Sequence, residues 1–195
     1  MNQSYYPKNK KRIFYGWWVI AACSAMVFFA SGIFFRGFTV LVPAMRDSLG
    51  ISQMRTNLIF AIARSEGGLE GPFAGWFIDK WGNKKILIPM VVLAGTGYLL
   101  FSVYVRNYWS FALIYLGVIS LGNSVGFQHA LFAGVNNWFN RKRSLAISTL
   151  AAISSLGGLA MVPLLNLLID WKGWKAATFV SGICYFLIIL PLTYF

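Results

Sequence analysis

Ile13–Phe35, reading IFYGWWVIAACSAMVFFASGIFF, runs for 23 residues without a formal charge, directly behind the basic cluster Lys8, Lys10, Lys11 and Arg12. A helix needs roughly 20 such residues to cross about 30 Å of hydrocarbon, because in lipid only hydrogen bonds within the segment satisfy its backbone. The stretch is longer than the apolar region of a cleavable signal, and no small-residue cleavage site is evident before Arg36, so it is expected to stay as an anchor. The pattern repeats further along the chain. Ile86–Val105 (20 residues), Asn107–Asn140 (34), Ser144–Ile169 (26) and Ala176–Phe195 (20) are also uncharged, and Arg55–Ile78 is as long but is interrupted by Arg64, Glu66 and Glu70. The expectation is an all-α membrane protein: a cytoplasmic basic segment at 1–12, then a six-helix bundle over 13–195 with spans at about 14–42, 54–78, 86–105, 109–137, 144–169 and 175–195.

Composition agrees with that reading and excludes a water-soluble domain. Of 195 residues, 58% are apolar, 17% aromatic and only 11% charged, with mean hydropathy +0.64, too little polar surface for a soluble fold. A formal charge of +12 from 17 basic and 5 acidic residues invites a nucleic-acid reading, but its placement does not support one. One set of alternate loops receives Lys8, Lys10, Lys11, Arg12, Lys80, Lys84, Lys85, Arg141, Lys142 and Arg143, ten in all, while the other receives five, Arg46, Arg55, Arg106, Lys172 and Lys175. Basic residues accumulate in cytoplasmic loops, so a multi-pass protein of the cell membrane with both termini in the cytoplasm is expected. Tyr15, Trp17, Trp18, Tyr108, Trp109 and Trp138 fall where an aromatic interface belt belongs. Cys23 and Cys184 sit in apolar runs and behave as small hydrophobes.

The chain also echoes itself. Gly67-Gly68, Pro72 and Ile78-Asp79-Lys80-Trp81-Gly82-Asn83-Lys84 return three helices later as Gly157-Gly158, Pro163 and Ile169-Asp170-Trp171-Lys172-Gly173-Trp174-Lys175. A repeat of three helices places its two copies in opposite orientation, so two inverted three-helix repeats are expected.

Ionisable residues at membrane depth are expensive and therefore functional candidates. Arg64 lies about 13 Å along its helix from Arg55, and Glu66 and Glu70 lie roughly 20 and 14 Å from Asp79, all near the bilayer middle. Glu66 and Glu70, four apart, share a face, whereas Arg64 is turned about 160° from Glu66 and 120° from Glu70 and pairs directly with neither. Two like charges in a poorly solvated site suit a proton carrier, the alternative being a structural pair held by another helix. Gly67, Gly71 and Gly75 form a small-residue ladder expected to bring this helix close to a neighbour. Arg36, late in the first span, has the planar fork that receives a carboxylate through two parallel hydrogen bonds, or else snorkels to headgroups. The fourth span adds Asn123, Gln128 and His129, the only histidine, which is either a proton relay or a packing residue. Candidate substrate contacts are therefore Arg36, Arg64, Asn123 and Gln128; candidate proton groups are Glu66, Glu70 and His129. No Cys/His cluster, phosphate loop or nucleophile–base pair is evident, so no metal, cofactor or enzymatic activity is expected.

Gly75-Trp76-Phe77-Ile78-Asp79-Lys80-Trp81-Gly82-Asn83-Lys84-Lys85 matches G-x-x-x-D-[RK]-x-G-x-[RK]-[RK], and by it the chain resembles the major facilitator superfamily. Within that superfamily it is similar to the monocarboxylate and oxalate/formate branch, through Tyr15-Gly16-Trp17-Trp18, Arg36-Gly37-Phe38-Thr39-Val40, Trp138–Ala146 and Lys172-Gly173-Trp174-Lys175. It departs from that branch in lacking an acid before Gly16 and in carrying Ser148 and Ile153 where glycine is usual. The resemblance implies a conformational gate at Gly75, Asp79, Lys80, Gly82, Lys84 and Lys85, with the aspartate latching onto the other half of the transporter. It implies a secondary transporter of small organic anions such as monocarboxylates, working by alternating access as a proton symporter or an exchanger. The match covers only the first six of the usual twelve helices, so a second six-helix half is implied, covalent, homodimeric or on another chain. The alternative is a non-transporting membrane subunit or remnant with an assembly role.

Overall fold

The computed structural model describes residues 16–138 and 143–194, and the side chains of these other than 16–19, 128, 136–138 and 143. Every regular element among the described residues is helical. Helix α1 (Gly16–Ala30) passes through a wide π-turn, Ser31–Arg36, into α2 (Phe38–Leu49), making one continuous rod. It stops at Gly50, whose left-handed backbone (φ 64°, ψ 28°) turns its N–H onto the Arg46 carbonyl, the usual glycine ending of a helix. Ser52 caps α3 (Gln53–Trp81) by accepting from the Arg55 N–H. Helix α4 (Asn83–Tyr104) follows directly. Asn107 and Ser110 form a reciprocal capping box at α5 (Tyr108–Ile114), which continues through a π-turn (Tyr115–Ser120), α6 (Leu121–Asn123), a second π-segment (Ser124–Leu131) and α7 (Phe132–Trp138) as one rod. The last helical run is α8 (Arg143–Cys184), prolonged by a π-turn (Tyr185–Ile189) and α9 (Leu190–Leu192).

Four stretches are long and apolar enough to cross a membrane: Ile20–Leu49, Asn83–Tyr104, Tyr108–Val135 and Ser144–Leu192. The expected span at 54–78 lies within α3, which is not among the four because Arg55, Arg64, Glu66, Glu70, Asp79 and Lys80 interrupt its apolar sequence. Ser144–Leu192 has 49 residues, about 70 Å if straight, far more than one hydrocarbon layer. It is not straight, because Gly173 leaves helical geometry at φ 80°, ψ 170°. The junction between α3 and α4 is built the same way, at Gly82 with φ 84°, ψ 154°. Both glycines occupy a region closed to L side chains, and they are the equivalent positions of the two sequence echoes.

Packing centres on α4. Gly122 of α6 sits so close to it that a Cβ there would lie 2.7 Å from the Ala94 nitrogen, and Gly97 faces Ile119 as tightly. On its other side Gly95 meets Tyr185 and Phe186, and Gly182 meets Leu99. The first part of α8 packs on α1 and its π-turn, where Ser31 Oγ donates to the Ser154 carbonyl (3.0 Å) and Ser154 Oγ to Ser31 Oγ (2.7 Å). Trp174 Nε1 donates to Ser48 Oγ (2.7 Å), tying the end of α2 to the helix beyond Gly173. Phe38, Tyr98, Phe101, Phe111, Tyr115 and Tyr185 fill the interior.

Helix α3 stands apart from this close packing, and here the structure departs from expectation. A Cβ on Gly67 would find only Ser124 Oγ, at 3.6 Å, one on Gly71 only His129 Cε1, at 3.5 Å, and those on Gly68 and Gly75 nothing within 4 Å. The ladder Gly67, Gly71, Gly75 is therefore not a site of close helix approach. Close approach occurs instead at Gly32 and Gly157 and along α4, whereas α3 packs through Ile59, Phe60, Ala74 and Ile78.

Candidate functional site

The standoff of α3 leaves a cavity of about 820 Å³ between it, the rod α1–α2 and the Tyr115–Ser124 stretch. Its α3 wall is one broad helical face, with Gln53, Asn57, Phe60, Arg64 and Gly68 spaced at four and three residues and Thr56, Ala61, Ala63 and Gly67 beside them. The opposite wall comes from Phe34, Phe35, Phe38, Thr39, Val42, Pro43 and Arg46. The floor is Tyr115, Ser120 and Ser124. Phe34, Phe35, Tyr115, Ser120 and Ser124 all belong to π-segments, where one extra residue per turn widens the helix and re-aims side chains, as happens at many functional sites.

The lining is apolar and aromatic with a positive bias. Phe38 and Phe60 set their ring edges on Tyr115 (centroids 4.8 and 5.1 Å apart), and Phe34 stacks on it at 6.2 Å, so the aromatic wall is locked by mutual packing. Two guanidinium groups, Arg46 and Arg64, line the cavity, and no acidic residue among the described residues does. Arg46 donates weakly to Gln53 Oε1 (3.4 Å) and pairs with exposed Asp47 (3.4 Å) at the mouth. Arg64 makes no ion pair among the described residues. Ser124 Oγ is buried with no hydrogen-bond partner among the described residues. A cavity with two fixed cations, apolar walls and a few hydroxyl and amide groups is chemically matched to a small anion with an organic body.

The expected substrate contacts distribute unevenly around this space. Arg64 lies in the wall. Arg36, exposed at the end of its π-turn with its stem against Gly158, lies beside lining residues Phe35 and Thr39 without itself lining the cavity. Asn123 is fully buried behind the floor, donating to the Ile119 carbonyl (2.8 Å) and accepting from the Tyr185 hydroxyl, so its amide is engaged in packing the rod onto the last helix. Gln128 belongs to the Ser124–Leu131 segment, and its side chain lies outside the described residues. Arg46 was counted in the sequence as a loop cation. The signal that could have found it is Gly50, which as the first helix stop carries α2 through position 46 and brings Arg46 onto the cavity.

Glu66 and Glu70 are half-buried beside the cavity stripe, each with one carboxylate oxygen, Oε2, enclosed and without a partner among the described residues; His129 Nε2 is in the same state. Arg64 reaches neither carboxylate. At the far end of α3, Gly75 faces open space. Asp79 is exposed without an ion pair among the described residues. Lys80 covers Trp76 and Trp81, its Nζ lying 4.8 and 5.9 Å from the ring centroids. Lys84 donates to the Tyr194 carbonyl (3.0 Å), and Lys85 is exposed. Lys8, Lys10, Lys11, Arg12, Tyr15, Arg141 and Lys142 lie outside the described residues, as do the side chains of Trp17, Trp18, Trp138 and Arg143.

Comparison with known proteins identifies the family. The Major Facilitator Superfamily sequence model matches residues 12–195. Monocarboxylate transporter 11 of Homo sapiens is 27% identical over 173 residues, covering 86% of this chain and 35% of that protein. Monocarboxylate transporter 4 of Rattus norvegicus is 29% identical over 171 residues, again 86% of this chain and 35% of the relative. The Oxalate:formate antiporter of Oxalobacter formigenes is 24% identical over 181 residues, 91% of this chain and 42% of the relative. The chain thus spans well under half the length of these relatives. With helices that suit a membrane and a match over nearly its whole length, this multi-pass membrane chain belongs to the Major Facilitator Superfamily of transporters.

Proposed function

We propose that the cavity binds a small organic anion of the monocarboxylate type and that the chain is one lobe of a secondary transporter working by alternating access. The observation that carries the reading is the pairing of Arg46 and Arg64 with an aromatic wall that contains no acid among the described residues. Arg64 is the principal carboxylate contact, Arg46 receives the anion at the mouth, and Arg36 adds positive potential at the rim. The names of the relatives, monocarboxylate transporters and an oxalate:formate antiporter, fit that substrate class.

In this reading the lobe crosses the membrane six times as two inverted three-helix repeats, with α3 and the run Ser144–Lys172 in equivalent places. Support comes from the shared backbone geometry of Gly82 and Gly173 and from the length of Ser144–Leu192, which suits two crossings. An even number of crossings leaves both termini in the cytoplasm of the cell membrane. A second six-helix half closes the open side of the cavity, and Asp79, exposed and without an ion pair among the described residues, latches onto it as the gate. Glu66, Glu70 and His129 carry the coupled proton.

Uptake of a labelled short-chain carboxylate into proteoliposomes containing the complete transporter tests the anion site. Arg64→Ala loses charge-assisted hydrogen bonds of about 1.5–3 kcal/mol and should lower uptake at sub-saturating substrate by about 10- to 100-fold. Unchanged uptake contradicts the assignment.

A further inference from the structure

Seven buried side-chain polar atoms lack a hydrogen-bond partner among the described residues: Ser24 Oγ, Glu66 Oε2, Glu70 Oε2, Asn83 Oδ1, Tyr98 OH, Ser124 Oγ and His129 Nε2. Native interiors leave very few such atoms dry, because each costs the desolvation of a polar group, so a cluster of them marks space that water or a ligand fills. Five of the seven fall along one line. Gly67 faces Ser124, Gly71 faces His129, and Gly134 faces Asn83, whose Nδ2 is 3.2 Å from where a Gly134 Cβ would stand. Glu66 and Glu70 immediately precede the two glycines of α3. From Ser124 to Gly134 is ten residues, about 15 Å along the rod.

This seam begins at the cavity floor, since Ser124, 7% exposed, lines the cavity. It ends at the head of α4, beside the Gly82 turn, with Lys80 at the end of α3 and Lys84 and Lys85 in the first turn of α4. Its two sides set glycines opposite polar side chains, so no Cβ covers the unpartnered atoms of Ser124, His129 and Asn83. The carboxylates cannot be neutralised from within, because Arg64 pairs with neither. The remaining titratable or charged groups on α3 and the elements around it are Arg46 and Asp47 at the end of α2, Tyr115 on the cavity floor, Arg55, Asp79 and Lys80 on α3, Lys84, Lys85, Tyr98 and Tyr104 on α4, and Tyr108 on α5. None of these makes a hydrogen bond or ion pair to Glu66, Glu70 or His129 among the described residues.

We propose that the seam between α3 and Ser124–Gly134 is a hydrated proton-binding compartment, entered from the cavity floor at Ser124 and leading toward Asn83, with Glu70 and His129 exchanging the proton through bound water. It deepens the proton-coupled part of the function proposed above and rests on it. The step is a simple transfer. An excess proton arriving from the cavity as hydronium passes through water at Ser124 to the Glu70 carboxylate, which becomes the neutral acid while the water is restored. That acid returns the proton through water to His129 Nε2, forming imidazolium while the carboxylate is restored, and the imidazolium releases the proton to water at the Asn83 end. Proton and substrate thus occupy adjoining spaces that meet at Gly67 and Ser124.

Infrared difference spectroscopy of the full chain in lipid, between neutral and acidic buffer and in H₂O against D₂O, tests this without requiring transport. The expected result is a carboxylic-acid C=O band that appears on acidification, shifts in D₂O within the mixing time, and disappears in Glu70→Gln. His129→Gln should move the midpoint of its appearance. Gly71→Leu, which fills the space in front of His129 and changes no titratable group, should slow its deuterium exchange at least tenfold. A band that is absent, that persists in Glu70→Gln, or that exchanges equally fast in Gly71→Leu overturns the proposal. Anion binding is read separately: carboxylate binding that survives Arg64→Ala defeats the anion site and leaves the seam standing.

Discussion

Asn123 and Arg64 show how differently two polar residues at membrane depth can be spent. Asn123 is sealed between the Ile119 carbonyl and the Tyr185 hydroxyl, and removing its side chain leaves the Tyr185 O–H buried without an acceptor. Asn123→Leu should therefore destabilise the chain by about 1–3 kcal/mol, seen as a lower thermal midpoint in detergent. Tyr185→Phe should recover part of that loss when added to it, because the orphaned donor is then gone. Additive losses in the double variant would contradict this coupling. Arg64 has no ion pair among the described residues and lines an open space, so its removal is expected to leave the thermal midpoint within a degree or two while acting on ligand binding. Both residues are equally visible in the sequence as polar interruptions of apolar runs. What separates them is Tyr185, 62 positions away from Asn123, a partnership that no spacing rule announces.

At the scale of elements, glycine decides where helices touch and where they turn. Gly157 lies against the Phe28 backbone and Gly32 against Met161, whereas Gly75 faces nothing within 4 Å. Gly157→Leu should abolish folding, measured as loss of the monodisperse peak on size-exclusion chromatography, while Gly75→Leu should leave folding of this chain unchanged. Gly82→Ala and Gly173→Ala place a side chain in backbone geometry closed to it and should each cost about 1–3 kcal/mol. Equal stability of these variants and the parent in thermal melts would contradict the turn geometry. The four membrane-length apolar stretches, the α3–α4 turn and its later echo were legible in the sequence, because uncharged length and the Gly-Asp-Lys punctuation are local signals. The contact glycines were not. A small-residue ladder looks the same on paper whether its neighbour's backbone approaches, as along α4, or only the side chains of Ser124 and His129 do, as along α3. The cavity stripe Gln53, Asn57, Phe60, Arg64 was hidden for the same reason: its spacing is helical, but only the π-segments on the opposite side give it something to face.

On the scale of the whole molecule, loop charge predicts an orientation that can be read chemically. In a lobe of six crossings, cysteines introduced at Lys10 and Lys84 should react with a membrane-impermeant maleimide only from the cytoplasmic side, and one at Arg106 only from the opposite side. Labelling of Lys10→Cys and Arg106→Cys from one side would break the topology. The chain spans 35% to 42% of the three relatives compared here, so the lobe is expected to bind its anion with one side of the cavity open and to need a second half to move it. Binding is thus the property that this chain should possess by itself. Equilibrium binding of a labelled monocarboxylate to the purified chain in lipid, parent against Arg46→Ala/Arg64→Ala, tests it directly. The account predicts saturable binding in the parent and a loss of at least about tenfold in affinity in the double variant; equal binding by the two proteins would contradict it.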